Sequence, residues 1–250
     1  QNTNLETLYI MSSSDALTAI DLTQNTNLET LNINLYSMTE LDVTQNLNLT
    51  YLSCSNSNLP EIDLSNNPDL INLNLTGNDL NELDLSNNLA LESLQCQNNN
   101  LLTLDLTQNS NLLYLNCKAN LLTELDLSAN TLLSRLEAGN NNLTNIDLCL
   151  NINLQIIDLS NINYWSNLAT DAWCDFTDLD FSCNENLANL QCRNTGLSNV
   201  NLTQNQQLLE LDLRDNDLTE LDISNNENLY RLYCQNNNLT ELDISNNENL

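Results

Sequence analysis

The sequence predicts an elongated, mainly β solenoid, with parallel strands on one face and few or no long helices. Three observations predict it. A Leu/Ile/Val-Asp-Leu-like step recurs at Ile20, Leu41, Ile62, Leu83, Leu104, Leu125, Ile146, Leu179, Val200, Leu221 and Leu242. Nine of the ten intervals are 21 residues, and the one from Ile146 to Leu179 is 33. Leucine occupies position nine of every copy, from Leu28 to Leu250. A unit this short cannot bury its own apolar face and must stack on its neighbours. Finally, no segment carries a 3.6-residue apolar period, whereas apolar and polar residues alternate around position twelve.

Each part of the unit has a physical reading. Position two is Asp in ten of eleven copies, the exception being Asn201, and position six is Asn in all eleven. A stacked Asn amide can bond backbone groups of neighbouring coils at a turn, which a sheet ladder does not reach. Positions twelve and fourteen are apolar, so eleven, thirteen and fifteen point out of the strand face. The return segment, LTELDLSNN, also alternates and is expected to form a second short strand. The sheet should run through Leu31, Leu52, Leu73, Leu94 and Leu115.

Segments such as Leu91–Leu106 (LESLQCQNNNLLTLDL) and Leu229–Ile244 (LYRLYCQNNNLTELDI) carry an LxxLxCxxNxL block. This pattern covers essentially the whole chain and resembles the leucine-rich repeat family. The 21-residue length with Cys in the strand is similar to the cysteine-ladder subclass of internalin-like bacterial surface proteins. The resemblance implies that the strand face is concave and binds protein ligands, and that the protein is extracellular or on a bacterial cell surface. The second Asn of the motif is replaced at Tyr36, Ser57, Ile162 and Thr195, so that ladder should be interrupted there.

Residues 1–250 read as one solenoid, with an insertion over 160–178 within the repeat that starts at Ile146. Neither end looks like a polar cap, so the segment is expected to be a piece of a longer chain with further domains. The 5 Lys+Arg against 34 Asp+Glu give a formal charge of −29. Nucleic acid is excluded as a partner, because phosphate binding needs clustered cations. No apolar run is long enough for a membrane span.

Five cysteines, Cys54, Cys96, Cys117, Cys192 and Cys234, share position fourteen with Leu, Ile and Ala, and read as reduced core filler. Cys149, Cys174 and Cys183 lie outside that set; one bridge among them and three separate thiols both remain open.

All five cations fall at outward strand positions: Arg135 and Arg231 at eleven, Lys118, Arg193 and Arg214 at fifteen. Tyr51 and Tyr114 stand at eleven and Tyr233 at thirteen; Tyr9 joins them if the first partial repeat carries two extra residues. Tyr and Arg anchor interfaces. The insertion holds both Trp residues, Trp165 and Trp173. It reads either as a binding loop or as a flap packed back on the solenoid. The return side, with Asp at position two and Glu two residues earlier, reads as a solvated acidic surface rather than a calcium site.

No His, nucleophile motif, phosphate loop or metal cluster is present, so an enzyme, a cofactor and a metal are not expected. The expected function is recognition of a protein ligand through the strand face. A carbohydrate ligand, or a structural spacer in a large secreted adhesin, is the alternative.

Overall fold

A computed structural model describes residues 2–12, 17–162 and 173–250. Its strands are β1 (Thr7–Ser12), β2 (Thr30–Leu35), β3 (Tyr51–Cys54), β4 (Asn72–Asn74), β5 (Ser93–Gln95), β6 (Tyr114–Asn116), β7 (Arg135–Glu137), β8 (Ile156–Asp158), β9 (Asp178–Asp180), β10 (Asn189–Gln191), β11 (Asn199–Asn201), β12 (Glu210–Asp212) and β13 (Arg231–Tyr233). Eleven of them form one parallel sheet in the order β1-β2-β3-β4-β5-β6-β7-β8-β10-β12-β13. The register pairs Leu31, Leu52, Leu73, Leu94 and Leu115 in turn. Tyr9 pairs with Asn32, an offset of 23, so the first repeat does carry two extra residues. Among the described residues there is no helix.

The return side departs from expectation. It forms strand only in β9 and β11, which pair with each other. Elsewhere that side makes few backbone bonds between coils, as in Asn100 N–H to Leu80 O (2.8 Å) and Asn142 N–H to Leu122 O (2.8 Å). Isolated bonds of this kind do not make a ladder, whatever the side-chain alternation.

The strands are short because the chain turns two residues after position fourteen. Asn56, Asn98, Ala119, Asn140, Asn194, Asp215 and Asn236, all at position sixteen, have φ between 52° and 60°. Asn and Asp tolerate this left-handed conformation better than most residues. Asn98 is therefore a turn residue, and it is half-buried rather than exposed.

Asn at position six ties the other corner. Asn109 is fully buried, and its Nδ2 donates to Leu85 O (3.1 Å) and Asn88 O (2.9 Å), one coil back. Asn130 repeats the geometry on Leu106 O and Asn109 O. The row crosses the insertion unbroken, through Asn184 to Leu148 O and Asn151 O. The second Asn row is also complete where its residue is present: Asn99 donates to Leu75 O and Cys96 O and accepts from Leu80 N–H. Ser57 and Thr195 substitute with hydroxyl donation to Leu35 O and Cys192 O. At the insertion, Asn161 takes over, donating to Cys174 O and accepting from Cys174 N–H. Coil register thus holds to Asn161. It resumes at Cys174, since Asp175 N–H then bonds Leu143 O as in other coils.

The core is a stack of position-equivalent side chains, with Phe176 and Phe181 filling two Leu positions after the insertion. Cys54, Cys96, Cys117 and Cys192 are buried free thiols within it, and Cys234 is half-buried. Burial pushes the Cys54 thiol up to about 11 and the Cys96 thiol up to about 12. Of the three outlying cysteines, Cys149 and Cys183 form a disulfide with Cα atoms 5.0 Å apart, and Cys174 is free and buried.

Replacing Asn109 with Ala should cost about 1–3 kcal/mol, because two buried carbonyls lose their donor. Asn98→Ala should cost about 1 kcal/mol, the strain of a left-handed Ala that Ala119 already tolerates. Urea unfolding of both variants checks the order; a larger loss at Asn98 would contradict it. The double change Cys149→Ser with Cys183→Ser should lower stability by about 3–4 kcal/mol, from closure of a loop of 34 residues. A loss below about 1 kcal/mol in the same measurement would mean the bridge constrains little.

Candidate functional site: the strand face

The sheet register brings the sequence-selected residues onto one surface. Position eleven runs Tyr114, Arg135, Ile156, Asn189, Glu210, Arg231 across β6 to β13, and position thirteen runs Asn116, Glu137, Asp158, Gln191, Asp212, Tyr233. Lys118, Arg193 and Arg214 follow two residues beyond position thirteen of their strands. Tyr51 stands half-buried on β3, four strands' pairing away from Arg135. Trp173 is 43% exposed beside Cys174. Trp165 lies outside the described residues.

The face is not cationic. Every cation is paired with an acid of the same face. Lys118 reaches over the coil of Gly139, which has no side chain, to Asp158. Arg135 binds Glu137 (2.6 Å), Arg193 binds Asp215 (2.7 Å), Arg214 binds Asp212 through Nε (2.8 Å), and Arg231 binds Glu210 (2.6 Å). These five acids were legible at positions eleven, thirteen and sixteen, where the cations drew attention away from them. The five cations and their five partners cancel, so the acidic excess of 34 − 5 = 29 charges is carried by the rest of the chain. The strand face is a neutral, zwitterionic window on a strongly acidic molecule.

Charge is also unevenly spread along the face. From Thr30 to Gln97 the outward positions are Asn, Gln, Ser, Thr and Tyr51 only. The charged residues begin at β6. Arg135 lies over the Tyr114 ring (5.0 Å), Arg214 over Tyr233 (5.0 Å) and Arg231 over Tyr230 (5.2 Å). Burial raises the Tyr114 hydroxyl above its ordinary value, and bonding to Glu210 raises that of Tyr230. Hydrogen bonds from Asn236 and then Arg193 hold Asp215 below the usual carboxylate range.

The return side is different. A trough of about 1100 Å³ runs along it, with Glu40, Asp42, Glu61, Asp63, Glu82 and Asp84 in its walls. The Asp row serves the backbone. Asp105 Oδ1 accepts Thr107 N–H (2.9 Å) and the Thr107 hydroxyl (2.7 Å), closing the turn that leads to the Asn row. Asn201 does the same for Thr203. The local meaning of Asp at position two was not read from the sequence, although Asp-x-Ser/Thr in nine of the eleven copies carries the signal. Among the described residues, no group of three or more His, Cys, Asp or Glu is placed to hold a metal ion. No helix there is long and apolar enough to cross a membrane.

The fold and its ladders are those of leucine-rich repeat proteins. It is similar to the functional domain of InlJ from Listeria monocytogenes, which includes a cysteine ladder: 32% identity, covering 99% of this chain and 62% of that one, TM-score 0.76. The chain thus spans 62% of the length of the InlJ domain. A leucine-rich repeat protein from Leptospira interrogans shares the fold at 20% identity, over 100% of this chain and 72% of the other, TM-score 0.80. A plant peptide hormone receptor, RGFR1, solved in complex with RGF2, shares it at 18% identity, over 93% and 44%, TM-score 0.66. No protein-family model and no curated protein matches the chain.

The Asp row makes a prediction about acid. Bonds from Thr or Ser hold Asp42, Asp63, Asp84, Asp105, Asp126 and Asp222 below the ordinary aspartate value. A depressed carboxylate stabilises above its unfolded pKa and loses that contribution as pH falls through its folded one. In about 0.5 M salt, which screens the repulsion among surface acids, stability should hold from pH 7 to about pH 4 and then fall. Denaturant titrations across that range check it; a decline already under way near pH 6 would contradict this role.

Proposed function

We propose that the chain is a non-enzymatic binding module of a bacterial extracellular or cell-surface protein, and that it recognises a protein ligand through its strand face. The observation that carries the reading is the concentration of Arg–Tyr stacks and all five cations on one face of a solenoid that is otherwise acidic. Arg and Tyr in fixed, partly desolvated positions are the residues that dominate interface energetics. The Cys149–Cys183 disulfide fits an oxidising compartment. The similarity to InlJ fits a bacterial protein, and the plant receptor solved with RGF2 is an example of the same fold engaging a peptide hormone.

A second reading is carbohydrate recognition by the uncharged stretch from Thr30 to Gln97. Its amides, hydroxyls and Tyr51 are suited to sugar hydroxyls, whereas the charged half is not. The near-verbatim copies Thr219–Leu229 and Thr240–Leu250 leave a spacer role to the final coils.

Capture of partners from extracellular protein and from a glycan array separates the readings. For a captured protein, Arg193→Ala, Arg214→Ala and Arg231→Ala together should weaken binding by well over tenfold, since hot-spot truncations cost about 2 kcal/mol or more each. Asp84→Asn, Asp105→Asn and Asp126→Asn together should change affinity little, because Asn at this position keeps the turn, as Asn201 does. Loss of binding in the return-side variant alone would reverse the assignment of faces.

A further inference from the structure

The charged half of the strand face contains the same constellation twice. Glu137 accepts from the Tyr114 hydroxyl (3.1 Å), Arg135 Nε (2.8 Å) and Asn116 Nδ2 (2.9 Å), with the Arg135 guanidinium over the Tyr114 ring. Glu210 accepts from the Tyr230 hydroxyl (2.6 Å), Arg231 Nη1 (2.6 Å) and Asn189 Nδ2 (3.0 Å), with Arg231 over the Tyr230 ring. In each, one carboxylate and one aromatic ring hold a guanidinium in place. Its side chain stays 48% exposed at Arg135 and 55% at Arg231. A guanidinium has five N–H donors, more than these contacts use.

Arg135 and Arg231 sit in the same position-eleven row, four sheet spacings apart. At ~4.8 Å per spacing that is about 19 Å. Between them lie Ile156, the one aliphatic side chain of that row, the amide of Asn189, and Glu210, whose carboxylate is taken up by Asn189, Tyr230 and Arg231. An extended peptide rises about 3.3 Å per residue, so about six residues cover the distance.

The charge partition says which partner such posts select. A basic partner would be drawn to the acidic excess carried by the rest of the chain, not to this face. An acidic partner is repelled everywhere else, and only here meets fixed guanidinium donors. Repulsion over the remaining surface then confines an acidic partner to this face.

Resting on the strand-face reading above, we infer that Arg135 and Arg231 are paired posts for an extended acidic segment of a protein partner. The segment crosses the strands along the position-eleven row, with a carboxylate at each post and an apolar side chain over Ile156.

The test is selection of a random twelve-residue peptide library, displayed on phage, against the immobilised 250-residue chain. Selected peptides are then titrated against the parent chain, Arg135→Ala, Arg231→Ala and the Arg193/Arg214/Arg231→Ala variant. All four should show the same β circular dichroism, since the changed side chains are surface residues. Peptides with two Asp or Glu about six residues apart, each losing at least tenfold in affinity with either single variant, support the inference. Peptides that lose binding in the triple variant but carry no such acidic pair, or ignore Arg135→Ala, overturn it and leave the strand-face reading standing. Enrichment of basic peptides indifferent to every one of these variants overturns both.

Discussion

The structure depends on one repeated interaction, the buried side-chain amide that joins each corner to the coil before it. A solenoid of 21-residue coils has no helix to satisfy its own backbone, and its sheet strands are mostly three residues long. Carbonyls at the corners would be buried without donors. The Asn at position six supplies two of them per coil, and the second Asn row does the same beyond the strand. With the corners fixed, the strands fall into register, and outward positions of successive coils form straight rows. The strand face exists as an ordered surface because those corners are tied.

The acids then divide into two kinds by what they bond. On the return side the Asp carboxylates hold turn N–H and hydroxyl groups and remain at the solvent, where they give the molecule its charge. On the strand face, Glu137, Asp158, Glu210, Asp212 and Asp215 hold cations. The more exposed of these pairs, at Arg135 and Arg231, add little stability, about 0–1 kcal/mol each. Their larger effect is to orient the Arg and Tyr side chains, so less conformational freedom remains to be lost on binding.

Much of this was legible in the sequence because a fixed period converts residue number into place. The sheet through Leu31 to Leu115, the two extra residues in Tyr9's coil and the shared face of the cations all follow from counting. Features that depend on distance between neighbouring coils were not legible. Cys149 and Cys183 occupy positions four and five, and become neighbours only when the coil is known to close at Asn161 and Cys174. The pairing of each cation with an acid, which makes the face zwitterionic, was not read from the sequence, although both partners were visible.

The central claim is that a neutral window on an acidic molecule receives an acidic protein partner. The ionic-strength dependence of the association rate with the captured partner tests it most directly. Long-range repulsion from the acidic excess of the rest of the chain is screened as salt rises from about 10 mM to about 150 mM, while the short contacts at Arg135 and Arg231 change little. The association rate should therefore rise or stay level over that range. A rate that falls steeply with salt would mean a basic partner drawn to the acidic surface, and would contradict the claim.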